Sequence, residues 1–411
     1  MKRFFIFFVA SSFFFTFIQS EQPPITENDQ LLVVVLMVKD EEPVMQKTLQ
    51  PFLDAKINNY FILDTGSTDK TIEICQELFK KNNVTHGYIA SQPFVDFSTS
   101  RNYALRAAEK QFPNAIFFFM IDAEWYTHGV PELIQFCKDH AASPTLSYGL
   151  LIDGPVGAAR FSMPRLFKAH KSLEFEGSVH EYLKDWTGQL MPEAIFVNYE
   201  PSTQGINKSM IRTKTDCKLL FNDYKKNPSN SRAIFMLAQT YNCRGETNKA
   251  IKWYKKRCDV LGYNDERFIA FYNLGKLYHR LKKWLQAIEY FTKAYSLQPT
   301  RAEPLICLAQ LFWDTKNYPL CYLFALQALD IKCPDHNALL VETNLYNYVN
   351  YDLLGRVAWR IGDYDFGKQI TLEALKLHPD DPQLTANLQH YKKEPAPPKK
   401  APHFKKKLQK L

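Results

Sequence analysis

The sequence lacks the cysteine spacing of a zinc site, because none of its eight cysteines forms a Cys-x-x-Cys pair. Most of the cysteines stand at apolar positions of predicted helices, so we expect buried free thiols. If the chain is exported, one or two disulfides can form, and the spacing selects no pairing. The cysteines are Cys75, Cys137, Cys217, Cys243, Cys258, Cys307, Cys321 and Cys333.

Long apolar runs are also scarce. Apart from residues 4–18, the 411-residue chain has no stretch that would cross a membrane. Residues 4–18 follow a Met-Lys-Arg start and precede the small residue Ser20, as in a secretory signal peptide or an uncleaved signal anchor. We therefore expect residues 1–20 to export the chain or to anchor it to a membrane. The alternative is a location at the cytoplasmic face of a membrane.

The body of the chain has no strong excess of one charge. The formal net charge is +8, and much of the excess lies in the lysines of the tail, residues 392–411. A Pro- and Lys-rich tail is typical of solvated, disordered chain. Nucleic-acid binding has no other support in the sequence, so we expect no nucleic-acid partner.

The N-terminal half alternates apolar, β-branched runs with stretches of helical periodicity. This alternation predicts a mostly parallel α/β sheet with right-handed crossovers. The predicted strands cover residues 31–38, 60–63, 88–90 and 116–121, and the candidate helix caps are Ser67, Thr68 or Asp69 and, for the next helix, Ser98.

Three acids each follow a predicted strand, namely Asp40, Asp64 and Asp122. Because ligands of open parallel sheets bind beyond the carboxyl ends of the strands, we expect these acids on one rim. Arg101 is predicted in the first turn of a helix, where backbone N–H groups and a guanidinium both favour phosphate. Together they predict a site for a nucleotide diphosphate.

Each of these residues also has a simpler interpretation. Arg101 alone would pair with Asp96 or Glu109 on the surface of its helix. Asp64 would be a turn-forming aspartate, and Asp122 with Glu124 an acidic turn that ends a strand. We favour the shared site because it explains all of them together.

Four motifs in this order resemble those of family 2 glycosyltransferases, which have the GT-A fold and use nucleotide-sugar donors. They are Val38–Glu42, Asp64–Thr71, Asp96–Asn102 and Ile121–Glu124. The resemblance is strongest to the branch in which tetratricopeptide repeats follow this domain, a branch that includes enzymes that glycosylate cysteine in bacteriocin peptides.

The resemblance implies a role for each residue. Asp40 and Asp64 would contact the base and ribose, and Arg101 the diphosphate. Asp122 and Glu124 would occupy the Asp-x-Asp position that holds Mn²⁺ or Mg²⁺. The second acid here is glutamate, and Trp125 stands where a further acid is common. A catalytically weak or inactive domain is therefore the alternative.

Two later segments also resemble the family. Arg165 lies in an Arg-Leu-Phe strand and would add positive charge near the leaving group. His180 would hold the metal or the diphosphate, and Glu181 would be the general base. The simpler interpretations are a strand histidine bonded to a carbonyl and a surface partner for Lys184. In a regular strand, only one of His180 and Glu181 would face the site. The family also implies inversion at the sugar carbon.

The C-terminal half repeats a helical pattern four times, and the first three units recur at close to the roughly 34-residue tetratricopeptide period. The units begin near Leu237, Leu274, Leu308 and Leu354, with a longer helix predicted within residues 336–351. Their concave face would bind a polypeptide or a second copy, or the repeats would only support the first domain.

The predicted architecture is an α/β GT-A domain (31–205), then an all-α tetratricopeptide-repeat solenoid (206–391), then the tail. The implied activity is sugar transfer from a nucleotide-diphosphate donor to a protein, peptide or glycan acceptor. The alternative is a repeat-based binding scaffold carrying an inactive transferase-like domain. A nucleotidyltransferase would need a Gly- and Arg-rich N-terminal signature, which this sequence lacks.

Overall fold

The computed structural model describes residues 30–154, 160–184, 186–334 and 338–391. The predicted signal segment and the predicted disordered tail lie outside these ranges.

The N-terminal part alternates strands with helices, as the apolar periodicity predicts. Its strands are β1 (Leu32–Val38), β2 (Asn59–Asp64), β3 (His86–Ser91), β4 (Phe117–Ile121), β5 (Trp125–His128), β6 (Ser147–Asp153), β7 (Phe161–Lys168), β8 (Phe175–Glu176), β9 (Tyr182–Leu183) and β10 (Phe196–Tyr199). Its helices are α1 (Met45–Asp54), α2 (Thr71–Lys81), α3 (Phe97–Gln111) and α4 (Val130–Asp139).

Eight strands form one sheet in the order β3-β2-β1-β4-β7-β6-β10-β5, and β8 pairs with β9. Strand β1 runs parallel to both β2 and β4, whereas β7 runs antiparallel to β4. The predicted mostly parallel sheet is confirmed. The central strands are apolar throughout because helices and further chain cover both of their faces, so alternate residues such as Val34 and Val35 are both buried.

One predicted helix cap is wrong, and one of the three candidates for the other supplies a capping contact. Helix α3 is capped by Asp96, whose carboxylate accepts from Thr99 N at 2.7 Å, and not by Ser98. Arg101 therefore lies in the second turn of α3. Helix α2 begins at Thr71, and the capping carboxylate for its first turn comes from Asp69, which accepts from Thr71 N at 3.0 Å.

The C-terminal part is entirely helical among its described residues. It contains α5 (Thr203–Lys226), α6 (Ser231–Cys243), α7 (Thr247–Asp259), α8 (Asn264–Arg280), α9 (Trp284–Leu297), α10 (Glu303–Asp314), α11 (Tyr318–Leu329), α12 (Asn350–Ile361), α13 (Tyr364–Leu377) and α14 (Pro382–His390). Helices α6 to α13 make the four predicted pairs, which confirms the helical-repeat solenoid. In place of one longer helix, a π-helical segment (Leu345–Val349) leads into α12.

The internal contacts divide the chain into two compact units. The described residues of the first unit fall within 30–150, 164–175 and 183–195, and those of the second fall within 151–163, 176–182 and 196–391. Each unit has its own hydrophobic core, one around Val33, Phe118 and Phe167 and the other around Leu237 and Phe291. The predicted domain boundaries stay predictions.

The expected export or membrane anchoring is not supported by the residues that the structure describes. Among the residues that the structure describes, none of the helices combines the length and the apolar character needed to cross a bilayer. The segment that suggested export lies outside those residues. All eight cysteines are described as free thiols, six of them buried, which agrees with the expected burial.

Candidate functional site

The ends of β1, β2 and β4 lie at one edge of the sheet. Asp64 is opposite Val38 of β1, and Leu36 of β1 is opposite Ile121 of β4. Neighbouring strands are about 4.8 Å apart, which places the backbones of Asp64 and Asp122 about 10 Å from each other. The structure therefore brings Asp40, Asp64 and Asp122 to the same rim, as the strand pattern predicts.

Asp40 and Asp64 organise the loops at this rim. The Oδ1 atom of Asp64 accepts from Ser67 N at 2.9 Å, so the turn-forming interpretation of Asp64 also holds. The Oδ1 atom of Asp40 accepts from Thr68 N at 2.7 Å, and Asp40 N donates to Ser67 Oγ at 3.0 Å. Asp40 adopts a left-handed φ of 53°. Such backbone strain is often found where a site must be held in one geometry.

The loops after β1 and β2 are joined by a second set of contacts, which the sequence did not reveal. Asp69 Oδ2 accepts from Glu42 N at 3.1 Å, and Glu42 Oε2 accepts from Lys70 N at 3.1 Å. Thr71 Oγ1 accepts from Glu41 N at 2.7 Å. We call these contacts the loop clasp. The only local signal for them is that both loops are rich in residues that hydrogen-bond to backbone N–H groups.

Two arginines hold Asp122 from either side. Arg101 Nη2 lies 2.6 Å from Asp122 Oδ1, and Arg165 Nη2 lies 3.5 Å from Asp122 Oδ2. Both arginines are only 3% exposed. Arg165 reaches Asp122 because β7 runs antiparallel beside β4. Arg101 therefore pairs with Asp122 and not with Asp96, which caps the helix.

Aromatic rings line this arginine cluster, which we define as Arg101, Asp122 and Arg165. The guanidinium carbon of Arg165 lies 5.0 Å from the centre of the Trp125 ring and 6.0 Å from that of Phe175. Asn102, next to Arg101 in the motif, donates to and accepts from the backbone of Phe175 at 2.9 and 2.7 Å. The sequence did not predict that Asn102 bonds to Phe175. The position of Asn102 beside Arg101 in the motif was the one sign that it has a role.

The two arginines determine the charge state of Asp122. Burial alone would raise the pKa of Asp122, but the guanidinium groups of Arg101 and Arg165 outweigh burial and hold that pKa below its usual value. Asp122 is therefore ionised at neutral pH, and the cluster carries a net charge of about +1. A low-dielectric site with this charge favours an anion.

Glu124 occupies the turn after β4, with a left-handed φ of 67° and a buried side chain. Within the described ranges, no group of three or more His, Cys, Asp or Glu side chains is arranged to hold a metal ion. A divalent ion at a phosphate site needs only one or two protein carboxylates, because phosphate oxygens complete its shell. Glu124 fits that need, whereas both oxygens of Asp122 already contact arginines.

His180 and Glu181 lie in a turn between β8 and β9, so the expected strand position of both residues is wrong. Gly177 begins the turn with a φ of 96°, and His180 has a φ of 54°. The surrounding protein, and then Arg232 and Arg212, lower the pKa of His180, whereas Glu181 opposes this shift. The His180 ring is therefore neutral at pH 7.

The family comparison agrees with the motifs. Residues 33–150 match the sequence model of Glycosyl transferase family 2. The match spans all four motifs, so this region of the chain is similar to that family. Residues 268–301, which include α9, match the Tetratricopeptide repeat model. The resemblance to both families is confirmed, and a glycosyl transfer function is supported at that level. The resemblance to the branch of peptide S-glycosyltransferases stays a prediction.

Several solved structures are similar to part of this chain. The crystal structure of MamA has a TM-score of 0.35 and 17% identity, and the match covers 43% of this chain and 95% of MamA. YrrB, titled a TPR protein with an unusual peptide-binding site, has a TM-score of 0.35 and 11% identity, over 45% of this chain and 87% of YrrB. The first TPR of Spaghetti (RPAP3), solved with an HSP90 peptide, has a TM-score of 0.27 and 16% identity, over 31% and 92%. No curated protein matches the chain.

Proposed function

We propose that this protein transfers a sugar from a nucleotide-diphosphate donor to a protein, peptide or glycan acceptor, with inversion at the sugar carbon. The observation that carries the proposal is the arginine cluster at the carboxyl edge of a mostly parallel sheet. Two of its members, Arg101 and Asp122, lie inside the region that matches the glycosyltransferase family. Asp40 and Asp64, on the same rim, are the proposed contacts for the base and ribose.

The chemistry of the donor explains the arginines. When the sugar–phosphate bond breaks, negative charge develops on the departing diphosphate. Fixed guanidinium groups in a buried site stabilise that charge without having to reorganise. Asp122 keeps Arg101 and Arg165 oriented at the rim where the diphosphate is proposed to bind.

The acceptor must lose a proton as it attacks. Glu181 is the proposed general base. Its carboxylate takes the proton of the acceptor hydroxyl or thiol. The new bond forms at the sugar carbon on the face opposite the diphosphate, and the pair of electrons of the old bond leaves with the diphosphate. General-base assistance of this kind contributes typically about 10²–10⁴-fold in rate. His180, neutral at pH 7, is the proposed partner for the diphosphate or a metal.

A divalent ion is part of the proposal. Glu124 would hold Mn²⁺ or Mg²⁺ together with phosphate oxygens of the donor, and the ion would supply further positive charge to the leaving group. Asp122, which the motif also assigns to the metal, stays a proposed ligand and also contacts the two arginines. The helical repeats are the proposed surface for a polypeptide acceptor, a partner protein or a second copy.

A binding scaffold with an inactive domain is the second candidate. The observation that favours it is Trp125, which stands where the family commonly has an acid and packs on Arg165. An inactive domain would retain the arginine cluster and still bind a nucleotide diphosphate, but it would not turn over.

The deciding experiment screens a panel of nucleotide sugars by thermal shift with Mn²⁺ and then measures donor hydrolysis. We expect at least one donor to raise the melting temperature and to be hydrolysed. Arg101→Gln should abolish both effects. Its matched control is Arg106→Gln on the same helix, whose side chain pairs with Glu109 outside the cluster.

The outcomes separate the candidates. Binding without hydrolysis favours the scaffold. A correctly folded protein that binds no donor in the panel, with or without Mn²⁺, contradicts the proposed function.

A further inference from the structure

The turn that carries His180 and Glu181 belongs, by its contacts, to the helical unit. Residues 176–182 group with the helices that follow residue 196, although they lie between two segments of the first unit in sequence. Val179, at the centre of the turn, is 4% exposed and is part of the same hydrophobic core as Leu220 of α5 and Ile234 of α6. The turn is therefore packed on the first helices of the C-terminal part.

Polar contacts fix the same turn at two points. Asp223 of α5 accepts from Ser178 N, with 3.2 Å between Oδ2 and N. Arg232 of α6 donates from Nη2 to the His180 carbonyl at 3.3 Å, and its guanidinium carbon lies 5.8 Å from the centre of the Tyr182 ring. Both contacts hold the backbone on either side of Val179.

Arg232 is itself held in place. Its Nη1 atom lies 2.8 Å from Oε1 of Glu266, a residue of α8 that is 1% exposed. The other carboxylate oxygen of Glu266 contacts Arg257 Nε at 3.3 Å. A buried carboxylate shared between two arginines has few alternative arrangements, so Arg232 presents a fixed donor to the turn.

The turn needs such support. His180 has a left-handed backbone, which a residue with a β-carbon adopts at a cost. Conformations of this kind persist where the surrounding structure determines them. Arg232, Asp223 and the packing of Val179 are the surroundings that do so here.

We propose that Arg232 and Asp223 are positioning residues for the sugar transfer, and that the first helical repeats serve to hold the His180–Glu181 turn. This inference rests on the proposed function, in which Glu181 is the general base. Neither Arg232 nor Asp223 touches the reacting atoms in this scheme.

A lysine in place of Arg232 keeps the charge and loses the fork geometry of the guanidinium.

The experiment compares four variants of the full-length chain, with the hydrolysis assay and the donor panel described above. Arg232→Gln loses both the contact and the charge, and Arg232→Lys loses mainly the contact. Asp223→Ala removes the contact with Ser178 N, and it does not take a partner away from the buried carboxylate of Glu266. The matched control is Arg244→Gln, because Arg244 also pairs with a carboxylate, at 2.6 Å from Glu246, and lies at the opposite end of α6 from Arg232.

We expect kcat to fall about 100-fold in Arg232→Gln and about 10-fold in Asp223→Ala, because a displacement of roughly 1 Å costs rates of this order. The Kd for the nucleoside diphosphate should change much less than kcat, since Asp40, Asp64 and the arginine cluster, which supply most of its proposed contacts, lie outside the turn. Arg232→Lys should recover part of the rate. Amide exchange at residues 178–181 should accelerate in both Arg232→Gln and Asp223→Ala.

Two failures are distinguishable. If the wild type turns over and Asp223→Ala and Arg232→Lys both keep its kcat and its amide exchange, the positioning role is wrong and the proposed function stands. If the wild type binds and hydrolyses no nucleotide sugar, the proposed function fails and the positioning role fails with it. Should Arg232→Gln not fold, Asp223→Ala and Arg232→Lys still decide the question.

Discussion

At the scale of single residues, the unusual feature is one carboxylate that serves two buried arginines. The sequence pattern was enough to single out Arg101 and Asp122, since one lies near a helix start and the other after a strand. It did not predict that they pair with each other, because residues 21 positions apart meet only through the packing of α3 against the sheet. The simpler expectation of a partner on the same helix was wrong for this reason.

Asp122→Asn tests the energetics of this cluster. At pH 7 we expect the free energy of unfolding to fall by about 3 kcal/mol, because two nearly buried guanidinium groups lose their counterion. Since the pKa of Asp122 is lowered in the folded protein, its contribution is complete above the unfolded value, about 3.9, and is lost as the pH falls through the folded pKa.

Urea unfolding of both proteins between pH 2 and pH 7 measures this difference. The gap between wild type and Asp122→Asn should stay constant above about pH 4 and close below it. Asp139→Asn, at an exposed position on α4, is the control and should change stability by less than about 0.5 kcal/mol. A gap that widens with acid would contradict the assignment.

At the scale of elements, the strands were the most predictable part. Runs such as residues 31–38 and 116–121 are apolar on both faces, so their burial dictates their structure and their ends lie within a residue of those observed. The turn at residues 176–182 was not predictable in this way. Its alternating pattern resembles a strand, and Gly177 was the local sign of a turn.

The loop clasp gives a prediction at this scale. Asp69→Ala removes the acceptor for Glu42 N and for Thr71 N, so it should cost about 1 kcal/mol of stability, as the loss of a helix cap does. It should also weaken nucleotide binding, since both loops carry the proposed base and ribose contacts. Thermal unfolding and a Kd for the nucleoside diphosphate measure the two effects. Glu77→Gln, exposed on α2, is the control, and an Asp69→Ala protein equal to it would argue against the clasp.

The contact between α8 and α9 gives a second prediction at the scale of elements. A β-carbon at Gly275 would lie closer than 3.0 Å to three ring atoms of Phe291, whose side chain is fully buried. Gly275→Ala should therefore lose about 1–2 kcal/mol, although alanine is the better helix former. Chemical denaturation measures this loss. Arg280→Ala, at the exposed end of α8, should be neutral, and a stabilised Gly275→Ala would show that the helices move apart at little cost.

At the scale of the whole molecule, the sequence predicted a sheet with helices followed by stacked helix pairs, and the structure has both. This prediction of the architecture succeeded because each half repeats one sequence pattern many times. An error in a single strand or helix therefore does not change the predicted fold. The grouping of residues 176–182 with the later helices was not predicted. That grouping depends on contacts 45 and 52 positions apart in the sequence.

The cysteines give a prediction for the whole molecule. Burial raises the pKa of Cys75, Cys137, Cys258, Cys307 and Cys321 to about 12 each, and Cys243 and Cys333 are the exposed thiols. A thiol reagent at pH 8 should therefore modify two groups quickly in the native protein and all eight after denaturation. Cys243→Ser combined with Cys333→Ser should abolish the fast phase. More than two fast groups in the wild type would contradict the described packing.

The helices that hold the His180–Glu181 turn are synthesised after the turn itself. The turn leaves the ribosome well before α6 and α8, which contribute Arg232 and Glu266 to it. A nascent chain that has just completed the sheet would contain every residue of the family match and still have no anchor for His180. Any fragment that ends before α6, or any chimera that exchanges the helices, would inherit the same defect.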